Sequence, residues 1–114
     1  MRKIIAGNWK MNGKLENLLE IKKISNEFAQ SKIEIIICPP FTLLSAASEL
    51  AKNVYIGAQN LHPENEGAFT GEISANMLVD LGITHSIIGH SERRSKHNET
   101  NEICLLYTSD AADE

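Results

Sequence analysis

The chain has 114 residues, of which 42% are hydrophobic and 23% are charged, proportions typical of one globular domain rather than of a disordered or fibrous protein. Its formal net charge of −4 argues against broad attraction to nucleic acid or to an anionic membrane, so an anionic ligand would need locally placed cations. No apolar run approaches the roughly 20 residues of a membrane-spanning helix, and two cysteines without metal or disulfide spacing fit a cytoplasmic protein.

The first part of the chain alternates strand and helix patterns. Residues 3–9 are a short apolar run with polar flanks, which predicts a buried strand. Apolar residues then recur at helical spacing over residues 15–28, with charged residues mainly on the opposite face. Residues 33–38 predict a second strand, which ends at Pro39-Pro40 because proline cannot donate the hydrogen bonds of a sheet.

The same alternation continues in the second part. Residues 41–50 are rich in Ala and Leu and predict a helix, and residues 54–59 predict a third strand. A polar loop with several glycines follows over residues 60–72. Ser74 is a suitable N-cap for a third helix, and Gly82 is a suitable residue to end it.

A fourth predicted strand, residues 85–89, completes a βαβαβαβ order. Short apolar strands alternating with amphipathic helices predict a parallel α/β sheet covered by helices. Two architectures have this order, an open doubly wound sheet and half of a (β/α)8 barrel, and periodicity does not choose between them. Both bind ligands at the carboxyl ends of the strands. The polar residues there are Asn8 and Lys10, residues 39–42, Gln59 and Asn60, and residues 90–94.

Asn8 and Lys10 lie at the end of the first predicted strand. Because they are two residues apart, we expect them to point to the same side of the sheet and Trp9 to the other. A lysine on the inner side is costly unless it is paired or used, which favours an anion-binding role. The alternative is that Lys10 extends past the strand end into solvent.

His90 begins a charged cluster, residues 90–94, directly after the fourth predicted strand. Backbone N–H groups of the helical turn expected there would disfavour its imidazolium form. A neutral imidazole can donate a hydrogen bond to a carbonyl or enediolate oxygen and move a proton, and the alternative is a structural histidine bonded to a neighbouring loop. Glu92 could hold the Lys10 ammonium, although surface pairing is the simpler explanation of the cluster.

Several common functional motifs do not occur in this sequence. The glycines lack the GxGxxG and GxxxxGK[ST] spacings of nucleotide sites, and CxxC, HExxH and GxSxG are also missing. His62, His85 and His97 are expected to be structural. The residue types therefore favour acid–base chemistry on a small anion over metal or covalent catalysis.

Four motifs resemble those of the triosephosphate isomerase family. In chain order they are AGNWKMN (residues 6–12), GAQN (57–60), GAFTGEISA (67–75) and GHSERR (89–94). They resemble the family's opening strand, the end of its third strand, its subunit-interface loop and its fourth-strand signature. The resemblance covers residues 1 to about 103 and implies the N-terminal half of a (β/α)8 TIM barrel, with parallel strands alternating with helices.

The resemblance also implies a reaction and a set of site residues. Members interconvert dihydroxyacetone phosphate and glyceraldehyde 3-phosphate through an enediolate, in glycolysis and gluconeogenesis, without metal or cofactor. Asn8 and Lys10 would contact this phosphorylated triose. Lys10 and His90 would be catalytic, and Ser91 and Glu92 would lie in the supporting shell.

The full-length family member is a cytoplasmic homodimer, which gives three further residues an implied role. Thr70 would reach toward the partner subunit's active site, and Glu72 would pair with Arg93 across the dimer. Glu99 resembles a structural glutamate of the fourth helix. No residue here matches the family's catalytic glutamate. Since a complete barrel needs about 250 residues, we expect strands five to eight, the lid and the main phosphate-binding glycines to be missing and the chain alone to be inactive.

Residues 104–114, with the sequence CLLYTSDAADE, depart from the family pattern. After residue 103 the family continues its fourth helix and enters a fifth strand. The string instead resembles the translation of a transposon-end sequencing adapter. We therefore expect residues 104–114 to be a non-native tail in which Cys104 has no biological meaning.

Two other functions fit the same residues. One is a small α/β module that binds a phosphorylated ligand through Asn8, Lys10 and His90 without catalysis. The other is a structural half-barrel that associates through Phe69-Thr70. A doubly wound module would be complete, whereas half a barrel would leave strands one and four as unpaired edges over an exposed core.

Overall fold

The computed structural model describes residues 3–96. Strands and helices alternate in the order β1 Ile4–Asn8, α1 Leu18–Glu27, β2 Glu34–Cys38, α2 Phe41–Leu50, β3 Tyr55–Ala58, α3 Ala75–Asp80, β4 His85–Ser86 and α4 Ser91–Lys96, with a short 3-10 helix, Leu15–Asn17, before α1. Every predicted strand and helix is present. The expectations for His97, Glu99 and residues 104–114 concern residues outside the described part. No helix within residues 3–96 is long and apolar enough to cross a membrane.

The strand order decides between the two predicted architectures. The four strands form one parallel sheet in the order β1-β2-β3-β4. Successive right-handed crossovers that always step to the next strand place their helices on one face of the sheet. A doubly wound sheet reverses its strand order at a switch point, and the strands of residues 3–96 show no reversal. The fold is therefore the N-terminal part of a (β/α)8 barrel.

An apolar cluster between the sheet and the helices of the described residues confirms this layering. Ile35 and Ile37 of β2 belong to it, together with Ile56 and Ala58 of β3. These are alternate strand residues, so they share one face of the sheet. The helices contribute Ile21 from α1, Leu44 and Ala47 from α2, and Ala75 and Leu78 from α3.

The predicted burial of β1 is wrong, although the strand itself is correct. Ile4 and Ile5 are 58% and 54% exposed. β1 pairs only with β2, so within the described residues its other edge has no neighbouring strand. In the same part of the chain, residues 3–96, β4 has a strand neighbour on one side only. The expectation that strands one and four form the open edges of a half-barrel is confirmed.

The predicted ends of α3 are confirmed in detail. The Ser74 hydroxyl accepts a hydrogen bond from the Met77 N–H at 3.3 Å, as an N-cap should. Gly82 follows the helix with a φ of +80°. Its N–H donates to the Val79 carbonyl at 2.8 Å, and the N–H of Ile83 donates to the Leu78 carbonyl at 2.9 Å. This Schellman arrangement satisfies two carbonyls that would otherwise lack partners.

β4 is shorter than residues 85–89. Only His85–Ser86 belongs to the strand, although the N–H of Ile87 still donates to the Ala58 carbonyl at 2.8 Å. Gly89 has a φ of +57°, a left-handed conformation that glycine adopts without steric cost. The chain therefore turns at Gly89 and enters α4, which leaves His90 between the strand and the helix.

We expect Gly57→Ala to destabilise the chain by about 1–3 kcal/mol, because Gly57 lies in a tightly packed part of β3. A β-carbon at Gly57 would lie 2.9 Å from Cys38 Sγ, 3.2 Å from Ile36 Cγ2 and 3.3 Å from the His85 carbonyl oxygen. All three neighbours belong to the flanking strands, Ile36 and Cys38 to β2 and His85 to β4, and have little room to move. The measurement is the midpoint of urea unfolding of the 114-residue chain.

Gly7→Ala in β1 is the matched control. A β-carbon at Gly7 would meet no atom within 4 Å. Alanine also lowers the conformational entropy of the unfolded chain, so this variant should be neutral or more stable by up to about 1 kcal/mol. Equal unfolding midpoints for the two variants would show that the space around Gly57 does not limit packing.

Candidate active site

A pocket of about 420 Å³ opens where the strands end at their carboxyl side. Asn8, Lys10 and His90, the three residues predicted to meet a ligand, all line it. Glu92 and Arg93 from the first turn of α4 line it as well. The prediction that Asn8 and Lys10 share one side is thus confirmed. Met11, Phe41, Gln59 and Asn60 complete the lining.

Lys10 and Glu92 form a close ion pair in this pocket. Lys10 Nζ lies 2.6 Å from Glu92 Oε1, which confirms the predicted contact. The two side chains are 52% and 44% exposed, and ion pairs at that exposure contribute little to stability. The ion pair instead positions the Lys10 ammonium, because it holds this cation at the pocket where it could otherwise extend into solvent.

The backbone of Lys10 has an unusual conformation. Its φ of +57° is the only positive value among non-glycine residues of the described part. Such a conformation costs about 1–3 kcal/mol for a residue with a β-carbon, and it is often found at functional sites. The N–H of Lys10 donates to Asn8 Oδ1 at 2.8 Å, so Asn8 helps to hold this turn.

The hydrogen bonding of His90 sets its tautomer. The backbone N–H of Glu92 donates to His90 Nδ1 at 3.1 Å. In a neutral ring whose Nδ1 accepts a hydrogen bond, the proton is on Nε2. The other carboxylate oxygen, Glu92 Oε2, is 3.8 Å from Nδ1, which is too far for a hydrogen bond. A neutral His90 can therefore present an Nε2–H donor to the pocket.

α4 begins directly at the site and fixes these positions. The Arg93 N–H donates to the His90 carbonyl at 2.9 Å, which closes the first turn. His90 and Glu92 therefore have a defined spacing. A cation, a histidine donor and the Asn8 amide meet at one pocket, an arrangement suited to binding an anion and stabilising negative charge on an oxygen.

Asn60 lines the pocket with a buried acceptor that has no partner. It is 3% exposed, and within residues 3–96 its Oδ1 has no hydrogen-bond donor. Like Gln59, it received no role in the sequence analysis, although both directly follow β3. Their position at the carboxyl end of a strand was the sequence feature that could have identified them as pocket residues. Phe41 belongs to the strand-end segment 39–42 and had the same feature, whereas Met11 enters the lining through the loop after β1 and did not.

Three of the predicted residues lie away from the pocket. Ser91 is exposed at the start of α4 and does not line it. Thr70 is exposed on the loop after β3, and Glu72 belongs to a separate pocket beside Phe69. The Phe69 ring lies against the ring of His62, with centroids 4.2 Å apart. Within one chain, Thr70 and Glu72 therefore do not reach the Lys10 site.

Cys38 ends β2 beneath the site and is 2% exposed. Burial raises the pKa of its thiol from 9.0 to about 11. The folded state therefore binds the proton more tightly, so the associated stability is complete below pH 9 and is lost as the pH rises toward about 11. We expect alkylation of Cys38 at pH 8 to be slow in the folded chain and rapid in urea, as measured by peptide mass spectrometry. Equal rates in both states would contradict a buried thiol.

Comparisons with known proteins agree with this geometry. The sequence profile of triosephosphate isomerase matches residues 3–114. Triosephosphate isomerase of Alkaliphilus oremlandii is 50% identical over 106 residues, which are 90% of this chain and 43% of that protein. The Ruegeria protein of the same name is 48% identical over 98 residues, 86% of this chain and 40% of that protein.

A solved structure shows the same arrangement in three dimensions. The crystal structure of triosephosphate isomerase from Bartonella henselae superposes with a TM-score of 0.93 at 43% identity, covering 99% of this chain and 48% of that one. The chain spans less than half the length of these relatives. On the match of the profile and of these sequences, the chain belongs to the triosephosphate isomerase family.

Proposed function

We propose that this chain supplies the cation and the electrophile of an enzyme that interconverts dihydroxyacetone phosphate and glyceraldehyde 3-phosphate. The observation that carries the proposal is the meeting of Lys10 and His90 in one pocket at the carboxyl ends of the strands. Family membership supports the choice of a triose phosphate as substrate.

The proposed roles follow from the charges that develop in this reaction. A proton leaves one carbon, an enediolate forms, and the proton returns to the adjacent carbon. The Lys10 ammonium offsets the negative charge of the phosphate and the enediolate, and Asn8 contacts the substrate beside it. His90 donates its Nε2–H to a substrate oxygen and moves a proton between the two oxygens of the enediolate. Glu92 supports Lys10 through their ion pair, and Ser91, which lies outside the pocket, would support His90 from the next position in the chain.

In this proposal, the base that removes the proton from the substrate carbon belongs to the part of the relatives that this chain does not cover. Glu92 is the carboxylate in the pocket, but its Oε1 contacts Lys10 at 2.6 Å. The carboxylate is thus turned toward the Lys10 ammonium, and by its sequence motif Glu92 does not match the family's catalytic glutamate. Glu92 is therefore assigned to hold Lys10 rather than to remove the substrate proton.

We also propose that the complete enzyme is a cytoplasmic homodimer. Thr70 is exposed on its loop, as a residue that reaches a partner subunit must be. Glu72 and Arg93 would pair across the interface, so Glu72→Gln should weaken dimerisation. Sedimentation of the completed barrel as a function of concentration measures this. An unchanged dimer in Glu72→Gln would remove the pair from the proposal.

The activity is tested in a completed barrel. Residues 1–103 of this chain are joined to the C-terminal part of the Alkaliphilus oremlandii relative, and triose phosphate isomerisation is followed with a coupled dehydrogenase assay. Turnover at a rate typical of an enzyme is the expected result. A folded chimera that binds the triose phosphate without converting it would favour a phosphate-ligand-binding module instead.

We propose further that residues 104–114 derive from a sequencing adapter and that the native chain differs after residue 103. Because the family profile match extends through residue 114, comparison of protein sequences does not separate this tail from the rest of the chain. The test is therefore made on the source DNA. Resequencing the source with a library method that uses no transposon should replace these residues by a continued helix and a fifth strand. Recovery of the same eleven residues (104–114) would refute the proposal.

A further inference from the structure

We propose that Gln59 is a positioning residue that keeps Lys10 in its left-handed conformation and so holds the ammonium at the pocket. The inference rests on the proposed function for its kinetic consequence. Its structural consequence, the backbone conformation of Lys10, can be tested without an activity measurement. Gln59 lies directly after β3, 49 positions from Lys10 in the sequence.

The NH₂ group of the Gln59 side chain donates to two backbone carbonyls. Its Nε2 donates to the Lys10 carbonyl at 2.7 Å and to the Cys38 carbonyl at 3.0 Å. An NH₂ group has two hydrogens, so both are accounted for by these contacts. The Cys38 carbonyl also accepts from the Trp9 N–H at 3.1 Å. Gln59 thereby ties the segment after β1 to the ends of β2 and β3.

Lys10 is held at both of its backbone polar groups. Its N–H donates to Asn8 Oδ1 at 2.8 Å, and its carbonyl accepts from Gln59 at 2.7 Å. The left-handed conformation costs about 1–3 kcal/mol and persists only where the surroundings determine it. Asn8 is two residues away and moves with the same turn. Gln59 belongs to another strand and is therefore the anchor that relates this turn to the sheet.

The position of the ammonium depends on that anchor. With φ at +57°, Lys10 Nζ reaches Glu92 Oε1 at 2.6 Å. If Lys10 relaxed toward an extended conformation, its β-carbon direction would change and Nζ would leave the pocket. Displacement of a catalytic group by about 1 Å can cost about 10²-fold in rate. Because the Gln59 amide hydrogens are already used on the backbone, its effect is exerted through Lys10.

The test uses the completed barrel with Gln59→Met, which preserves side-chain length but removes both donors. We expect kcat/KM to fall about 10²-fold, mainly through kcat. In a Lys10→Ala background the same substitution should change kcat/KM by less than about 3-fold, because the group that it positions is already gone. Its effect on the unfolding midpoint should be equal in both backgrounds. Gln30→Met, at an exposed glutamine outside the pocket, is the control and should change neither.

Crystal structures of the variants separate this inference from the proposed function. Lys10 should leave the left-handed region in Gln59→Met, and the contact of Lys10 with Glu92 should be lost, whether or not the chimera is active. Gln59→Asn, which keeps an amide too short for both carbonyls, provides the same readout if Gln59→Met does not fold. An unchanged Lys10 φ in Gln59→Met would overturn the inference. So would a double variant, Gln59→Met with Lys10→Ala, in which Gln59→Met lowers kcat/KM as much as it does when Lys10 is present.

Discussion

The 114-residue chain on its own should show no isomerase activity above the uncatalysed background. Lys10 and His90 line the pocket, and among residues 3–96 the carboxylate that lines it with them is Glu92, which contacts Lys10 at 2.6 Å and is proposed to hold it rather than to act as the base. General base catalysis typically supplies about 10²–10⁴-fold. Closure over the substrate and contacts to its phosphate contribute further through positioning. The measurement is a coupled assay with dihydroxyacetone phosphate at high protein concentration.

Activity should appear when the rest of the barrel is supplied, either as a separate fragment or in the chimera described above. The chimera is the positive control, since it contains the same Lys10 and His90. Turnover by the isolated chain that is abolished by Glu92→Gln would show that Glu92 is the base and that its contact with Lys10 has been misinterpreted.

Local chemistry explains what the sequence predicted well. Ser74 and Gly82 delimit α3 because an N-cap hydroxyl and a left-handed glycine act on their immediate neighbours. Pro39-Pro40 separate β2 from α2 for the same kind of reason, and the predicted bounds of α2, Phe41–Leu50, are those observed. The alternation of strand and helix patterns predicted half a barrel or a doubly wound sheet; the family resemblance favoured the barrel, and the strand order confirmed it.

Long-range contacts explain what the sequence did not predict. The burial of β1 depends on neighbouring strands rather than on the apolar character of Ile4 and Ile5. The left-handed conformation of Lys10 depends partly on Gln59, 49 residues away, and nothing in residues 6–12 indicates it. Strand-end position predicted Asn8, Lys10 and His90 as candidate site residues, and the structure brings them to one pocket. It did not reveal which polar groups hold them in place.

In the completed barrel, Lys10→Ala and His90→Gln should each lower turnover sharply while the protein remains folded. Lys10→Ala removes the ammonium that, in the proposed mechanism, offsets charge on the phosphate and enediolate, and we expect kcat to fall about 10²–10³-fold, with KM increased as well. His90→Gln retains a polar side chain but cannot transfer a proton between two oxygens, so kcat should fall about 10²–10⁴-fold. Steady-state kinetics in both directions measure these changes, with circular dichroism to verify folding.

Lys23→Ala and His85→Gln are matched controls for these two variants. Lys23 is exposed on α1, outside the pocket, and His85 lies in β4, before the turn at Gly89 that leads to His90. Both should leave kcat and KM within about 2-fold of the parent, because they make no contact with the reacting groups. If His90→Gln were no worse than His85→Gln, His90 would be a structural residue whose Nδ1 only receives the Glu92 N–H, and the electrophile would have to be another group. A normal KM in Lys10→Ala would instead show that its ammonium acts on the enediolate and not on the phosphate, since loss of a phosphate contact weakens binding of substrate and transition state alike.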